Sequence, residues 1–194
     1  MRADVCAAGK AERQYTTRHL LVLGGSQGAH ALNDLLVDIL PQLKQAGIEI
    51  LHQTGAKDEL TTRAAYIAAG YASECVKPFI NDMAATYAWA DLALCRSGAS
   101  TIAELCACGL PAILVPFPHA IHDHQTRNAR VMVDAGAAQL MPESALDAEW
   151  CACVVSQLLQ DSATRQSMSK AARQLARVDA ADNVVTTLQK MLSK

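Results

Sequence analysis

The sequence contains no Gly-Lys-Ser/Thr triplet, no C-x-x-C pair, no G-x-G-x-x-G run and no uninterrupted apolar stretch near the ~20 residues that cross a bilayer. The first absence removes a P-loop, the second the usual zinc and redox frameworks, the third the dinucleotide fingerprint, and the fourth a membrane-spanning helix. The second predicted strand is followed by His52 and Gln53 rather than the acidic residue that grips a dinucleotide ribose, which argues further against an NAD enzyme. Aromatics are only 4% of the 194 residues, the formal charge is −2, and Lys and Arg are scattered, so neither a stacking platform nor a basic patch for nucleic acid is present. The first residues carry no apolar core of a signal peptide. Seven cysteines is an odd number, and Cys6, Cys75, Cys95, Cys106, Cys108, Cys151 and Cys153 lie in apolar surroundings, which favours free thiols in a reducing compartment over a disulfide or zinc scaffold.

What is present is organised around Arg96–Pro116. Asp91–Cys95 and Pro111–Val115 are apolar runs of strand length. Between them Ile102, Leu105 and Cys106 recur at helical spacing, and Gly109 stands where a left-handed residue ends a helix. The same alternation runs through the whole chain: a strand at His19–Leu23, a helix from about Ala29 to Gly47 with Pro41 as a kink, a strand at Ile48–Leu51, a helix over residues 57–69 closed by Gly70, a weaker strand at Ser73–Lys77, and a helix from about Asp82 to Trp89. After Pro116 a polar loop feeds a helix ending near Gly136, then an edge strand at Ala137–Met141, and from Ala145 three helices broken near Asp161 and Val178. Residues 1–18 read as polar and unpatterned. This predicts an α/β fold, a Rossmann-like three-layer parallel sheet of about six strands with helices on both faces and a helical C-terminal tail, whose ligands sit at the carboxyl ends of the strands.

Two turns on that edge carry chemistry. The turn Arg96-Ser-Gly-Ala-Ser-Thr101 has little side-chain bulk after the arginine, so the amides of the first turn of the next helix are open to an anion. Ser97, Ser100 or Thr101 can cap that helix or donate to phosphate oxygens. Glu104 follows on their face by helical spacing; a carboxylate there repels phosphate but accepts the two hydroxyls of a ribose, and the combination suggests a nucleotide. A capping box with Glu104 as its carboxylate fits the same residues. The second turn, Gly24-Gly-Ser-Gln-Gly28, lets a phosphate approach backbone and offers the Ser26 hydroxyl. In the loop after Pro116, His119, His122, Asp123 and His124 have the composition of a metal cluster, yet lack the i, i+4 spacing of a zinc enzyme. Reading sugar hydroxyls suits the loop better, with Gln125 offering both donor and acceptor and His124 a further polar contact.

These motifs together resemble the MurG family, bacterial transferases that move N-acetylglucosamine from UDP to an undecaprenyl-linked muramyl-peptide. The resemblance rests on Gly24-Gly-Ser-Gln-Gly28, Pro78-Phe-Ile80 with Asp82-Met83, Ala88-Trp-Ala-Asp91, Arg96-Ser-Gly98 with Thr101 and Glu104, Gly109-Leu-Pro111, and His124-Gln125 with Asn128. It covers about residues 1–140, and it is to the C-terminal, donor-binding lobe of the two-lobed GT-B fold. It implies that Ile80 reads the uracil edge through its backbone with Phe79 and Met83 packing near the ring, and that Glu104 takes the ribose hydroxyls. Ser26 and the amides around Ala99, Ser100 and Thr101 hold the diphosphate, while His124 and Gln125 hold the sugar. Arg2 matches a family arginine near the diphosphate. No metal or other cofactor is expected, and no catalytic residue, since the general base of the family lies in the N-terminal lobe.

The resemblance further implies that residues 1–18 are an interdomain linker, 19–178 the UDP-sugar domain, and 179–194 a C-terminal helix. The stripe Val184, Val185, Leu188, Met191 and Leu192 on that helix suits either a crossing to the other lobe or closure of its own domain. The expected partners are UDP-N-acetylglucosamine, an N-terminal lobe in the same or a second polypeptide, and through that lobe a lipid-linked acceptor, with no nucleic acid. The expected location is the bacterial cytoplasm, at the inner face of the plasma membrane for the full-length enzyme. The chain begins at the linker and is expected to bind donor without turning it over. Two other functions stand beside this one: a nucleotide-sugar binding module without chemistry, and a related UDP-hexosamine epimerase or glycolipid glycosyltransferase lobe.

Overall fold

The computed structural model describes residues 3–9, 13–25, 28–177, 185 and 188–191. Six strands form one sheet: β1 (His19–Leu23), β2 (Glu49–Gln53), β3 (Val76–Lys77), β4 (Leu92–Cys95), β5 (Ala112–Leu114) and β6 (Ala138–Leu140). Their spatial order is β3-β2-β1-β4-β5-β6 and every pairing is parallel. The α-helices with bounds among the described residues are α1 (Ala3–Ala8), α2 (His30–Gln45), α3 (Glu59–Ala68), α4 (Met83–Trp89), α5 (Ala99–Cys108), α6 (His124–Asp134), α7 (Ala148–Gln160) and α8 (Ser162–Leu175).

The run Leu20–Leu23 shows why the sheet is covered on both sides. All four residues are buried; Leu20 and Val22 join the core built with α2, α3 and α7, and Leu21 and Leu23 join the core built with α1, α4, α5 and α6. A strand apolar at every position has no face for water, as parallel sheets require. Helix α8 closes both layers, giving Met168 to the first core and Ala172 to the second.

Local sequence accounts for most element ends. Asp82, Asp147 and Asp161 cap α4, α7 and α8, each accepting a backbone amide three residues on. Gly109 adopts φ +57° and stops α5, with its amide bonded to the Cys106 carbonyl and that of Leu110 to the Leu105 carbonyl.

Several expectations are corrected. Residues 3–8, read as unpatterned, form α1 and bury Val5 completely against the second core. Pro41 lies inside α2, which runs on to Gln45 unbroken. The strand expected over Ser73–Lys77 shrinks to Val76–Lys77 behind a 3-10 turn at Ser73–Cys75, because β3 is an edge strand with only β2 to pair with. Of the third tail helix only residues 185 and 188–191 are described; Val185, Leu188 and Met191 are exposed, whereas Val184 and Leu192 of the apolar stripe lie outside the described residues. All seven cysteines are free.

Candidate functional site

The strand order reverses between β1 and β4, which pair directly with Leu23 beside Cys95. The turn after β1 begins at Gly24 and the turn after β4 at Arg96, so the two motifs singled out in the sequence open side by side at the carboxyl edge. Loops that leave a switch point in opposite directions leave a crevice between them. At Gly28, with φ +79°, a Cβ would lie 2.4 Å from the Thr54 carbonyl, so this position requires glycine for close packing on the loop after β2. Ser26 lies outside the described residues, as does Arg2.

The start of α5 is open. Gly98 is its N-cap and no side chain caps it; Ala99 and Ser100 are exposed and Thr101 is half-buried. The capping-box alternative therefore does not hold, and Glu104 lies well past the first turn. Of the three hydroxyls expected to cap the helix or donate to phosphate, that of Ser97 is committed elsewhere: it donates to the Gln125 backbone carbonyl at 2.8 Å, and the Ser97 carbonyl accepts from Asn128 Nδ2 at 3.0 Å. Uncapped amides at a helix start carry both the hydrogen-bond donors and the positive end of the helix dipole. An oxyanion is the ligand they suit.

Glu104 is half-buried and fixed. The Tyr87 hydroxyl, on α4, donates to Glu104 Oε2 at 2.8 Å, and the Tyr87 ring is buried in the second core. Burial, the charge of Glu104 and the bond to it push the Tyr87 hydroxyl well above its ordinary range, which keeps it a donor.

The loop after β5 is pinned to this turn by Arg96. Its Nη1 donates to the Val115 and Pro116 carbonyls at 3.2 Å each, the guanidinium lies 5.4 Å from the centre of the Phe117 ring, and it forms an ion pair with Glu143. The Phe117 amide then donates to Gln125 Oε1 at 3.0 Å. That bond orients the Gln125 side-chain amide and uses one of the two lone pairs of its carbonyl oxygen. His124 opens α6 and is exposed; His122 and Asp123 just before it hold φ +52° and +53°, a conformation that costs non-glycine residues about 1–2 kcal/mol each. Among the described residues, no group of three or more His, Cys, Asp or Glu side chains is placed to hold a metal ion.

The stretch after β3 divides its roles. Ile80 is buried in the core with Leu23, Cys95 and Ile102; Phe79 is 56% exposed and Met83 half-buried. Both Phe79 and Ile80 line an open cavity of about 590 Å3 between the end of β3 and α4. Sequence reasoning missed Tyr87, Arg96 as a loop anchor and Glu143. Their partners lie on other elements, and no periodicity links Tyr87 to Glu104 or Arg96 to Glu143; only the motif boundaries around Ala88–Asp91 and Arg96–Gly98 hinted at them.

Among the described residues no helix is long and apolar enough to cross a membrane. The chain is 46% identical to a Nitratidesulfovibrio vulgaris protein named UDP-N-acetylglucosamine--N-acetylmuramyl-(pentapeptide) pyrophosphoryl-undecaprenol N-acetylglucosamine transferase, over 99% of the chain and 53% of that protein. It is 51% identical to the protein of the same name from Methylococcus capsulatus, over 86% of the chain and 47% of that protein. The chain thus spans about half the length of the curated relatives it matches. It superposes on the crystal structure of Acinetobacter baumannii MurG with a TM-score of 0.77 and 36% identity, covering 96% of the chain and 53% of that structure. Residues 19–184 match the glycosyltransferase family 28 C-terminal domain, and the chain belongs to that family.

Proposed function

We propose that this chain is the donor-binding lobe of an inverting N-acetylglucosaminyltransferase that takes UDP-N-acetylglucosamine and, with an N-terminal lobe, converts an undecaprenyl-linked muramyl-peptide (lipid I) to its disaccharide form (lipid II). The observation that carries the reading is the uncapped start of α5 at the sheet's switch point, with the fixed carboxylate of Glu104 farther along the same helix. The amides of Ala99, Ser100 and Thr101 hold the diphosphate and stabilise the charge that builds on departing UDP, without a metal. Ser26 and Arg2 add contacts to it. Glu104 accepts the ribose hydroxyls. The Ile80 backbone reads the uracil edge, flanked by Phe79 and Met83. Gln125 and His124 hold the sugar hydroxyls. The acceptor hydroxyl attacks the anomeric carbon from the face opposite UDP, and the base that takes its proton belongs to the other lobe. The work takes place in the bacterial cytoplasm, at the inner face of the plasma membrane where a lipid-linked acceptor is found.

Calorimetric titration of UDP and UDP-N-acetylglucosamine tests the assignment. Glu104→Ala should weaken both ligands by about 1–3 kcal/mol, the worth of hydrogen bonds to a charged acceptor. Gln125→Ala should weaken only the sugar nucleotide. An unchanged chain that binds neither ligand, or equal losses for both ligands in both variants, overturns the reading. Transfer to lipid acceptor is expected only when an N-terminal lobe is supplied; product from the chain alone would show that it carries its own base.

A further inference from the structure

We infer that Tyr87 is a positioning residue for nucleotide recognition: its hydroxyl locks one oxygen of Glu104 so that the other oxygen meets the ribose diol. The inference rests on the donor reading above and goes beyond it, because Tyr87 touches no part of the nucleotide in that reading.

The geometry is that of a pair in which each member needs the other. Tyr87 is 1% exposed, and a buried hydroxyl requires a partner; Glu104 Oε2, at 2.8 Å, is that partner. Glu104 in turn stands on a helix surface, where a long flexible side chain has several rotamers open to it. A hydroxyl delivered from a neighbouring helix selects one of them. A carboxylate has two oxygens and about four lone-pair positions, so the bond to Tyr87 leaves acceptor capacity for both hydroxyls of a cis-diol.

Tyr87 is itself held hard. Arg13 Nη2 donates to its backbone carbonyl at 2.6 Å, and the same guanidinium donates to the Ala90 and Cys108 carbonyls. One arginine therefore ties the C-terminal ends of α4 and α5 together, fixing the two helices that carry Tyr87 and Glu104 relative to each other. The hydroxyl stays protonated throughout the range in which the protein is handled, so the bond has one polarity: tyrosine gives, glutamate receives.

The test is titration of UDP and of 2′,3′-dideoxyuridine diphosphate, which lacks the diol, into the full chain and into Tyr87→Phe, Glu104→Gln and the double variant. Tyr87→Phe removes one oxygen from a ring whose packing is unchanged, so the variant should melt as a folded protein; circular dichroism confirms this. The expected result is a loss of about tenfold in UDP affinity for Tyr87→Phe, at the lower end for one charge-assisted hydrogen bond, with dideoxy-UDP affinity unchanged. The double variant should bind UDP no more weakly than Glu104→Gln, since both changes remove one interaction. If Tyr87→Phe weakens both nucleotides alike, the residue merely supports the fold and the inference is overturned. If it weakens neither while Glu104→Gln weakens UDP, the inference fails and the donor reading stands. If the unchanged chain binds no UDP, both fail together.

Discussion

The two edges of the sheet are built on opposite plans. At the amino edge polar groups are spent on one another. Arg165, 1% exposed, donates to the carbonyls of Leu158, Leu159, Tyr15 and Thr17; Arg13 donates to those of Tyr87, Ala90 and Cys108; Asp91 accepts from the Thr17 hydroxyl and the His19 amide. At the carboxyl edge the start of α5 has no side-chain cap, Phe79 and Phe117 face solvent, and His122 and Asp123 sit in a strained conformation. Helix ends explain the asymmetry. In a parallel sheet the carbonyl ends of the helices gather at the amino edge, where buried arginines suit them, and the amide ends gather at the carboxyl edge, where an incoming anion does. Side-chain donors are consumed by carbonyls at one edge, and backbone amides at the start of α5 stay without a side-chain cap at the other.

This division is open to breaking. Arg165→Met should have the largest effect on stability, more than about 3 kcal/mol in chemical denaturation, because four carbonyls that it serves are left without a donor; UDP affinity below the unfolding transition should not change. A large affinity loss in folded Arg165→Met would show the edges to be coupled.

Acid should act next. His52 is completely buried between the Tyr66 hydroxyl and Asn33 Oδ1, and burial pushes its imidazole down to about 3 from an ordinary 6.5. The unfolded chain takes up a proton below pH 6.5 and the folded one does not until about pH 3, so this histidine's contribution is present above pH 6.5 and is lost as the pH falls toward 3. The difference in unfolding free energy between the unchanged chain and His52→Gln should therefore slope with pH over that window; a flat difference would mean that His52 is protonated in the fold.

Gly28→Ala should cost a further, smaller amount, about 1–2 kcal/mol, since the new Cβ meets the Thr54 carbonyl at a positive φ. It should also lower UDP affinity, because the turn after β1 must move. Retained affinity with lost stability would remove that turn from the ligand site. Smallest in stability is Phe79→Ser, within about 0.5 kcal/mol for a side chain 56% exposed. Its UDP affinity should nonetheless fall, and a variant unchanged in both measurements would leave Phe79 out of base recognition.

Much of the fold was legible from composition and spacing. Gly109 as the end of α5, a helix starting near Asp82 and the apolar strands at 19–23 and 91–95 follow from short-range preferences that act within a turn or two of chain. Motif order was enough to bring Gly24–Gly28 and Arg96–Thr101 to one edge. The shortness of Ala3–Ala8, six residues with no room for a helical period, hid α1, whose helical state depends on the core that Val5 enters. Nor did spacing reveal that the Phe117 amide orients the Gln125 side chain, since that bond forms only after β5 and α6 are set in place.

By itself, then, the sequence determined the alternation of strands and helices and the parallel sheet they form, because period and glycine placement are local properties of the chain. Only the tertiary structure decided which hydroxyl holds Glu104, which carbonyls the buried arginines serve and where Arg96 anchors the loop after β5. Those bonds join different elements of the fold, and their partners are chosen by the packing of whole helices on the sheet, a geometry that the period of a single element does not contain.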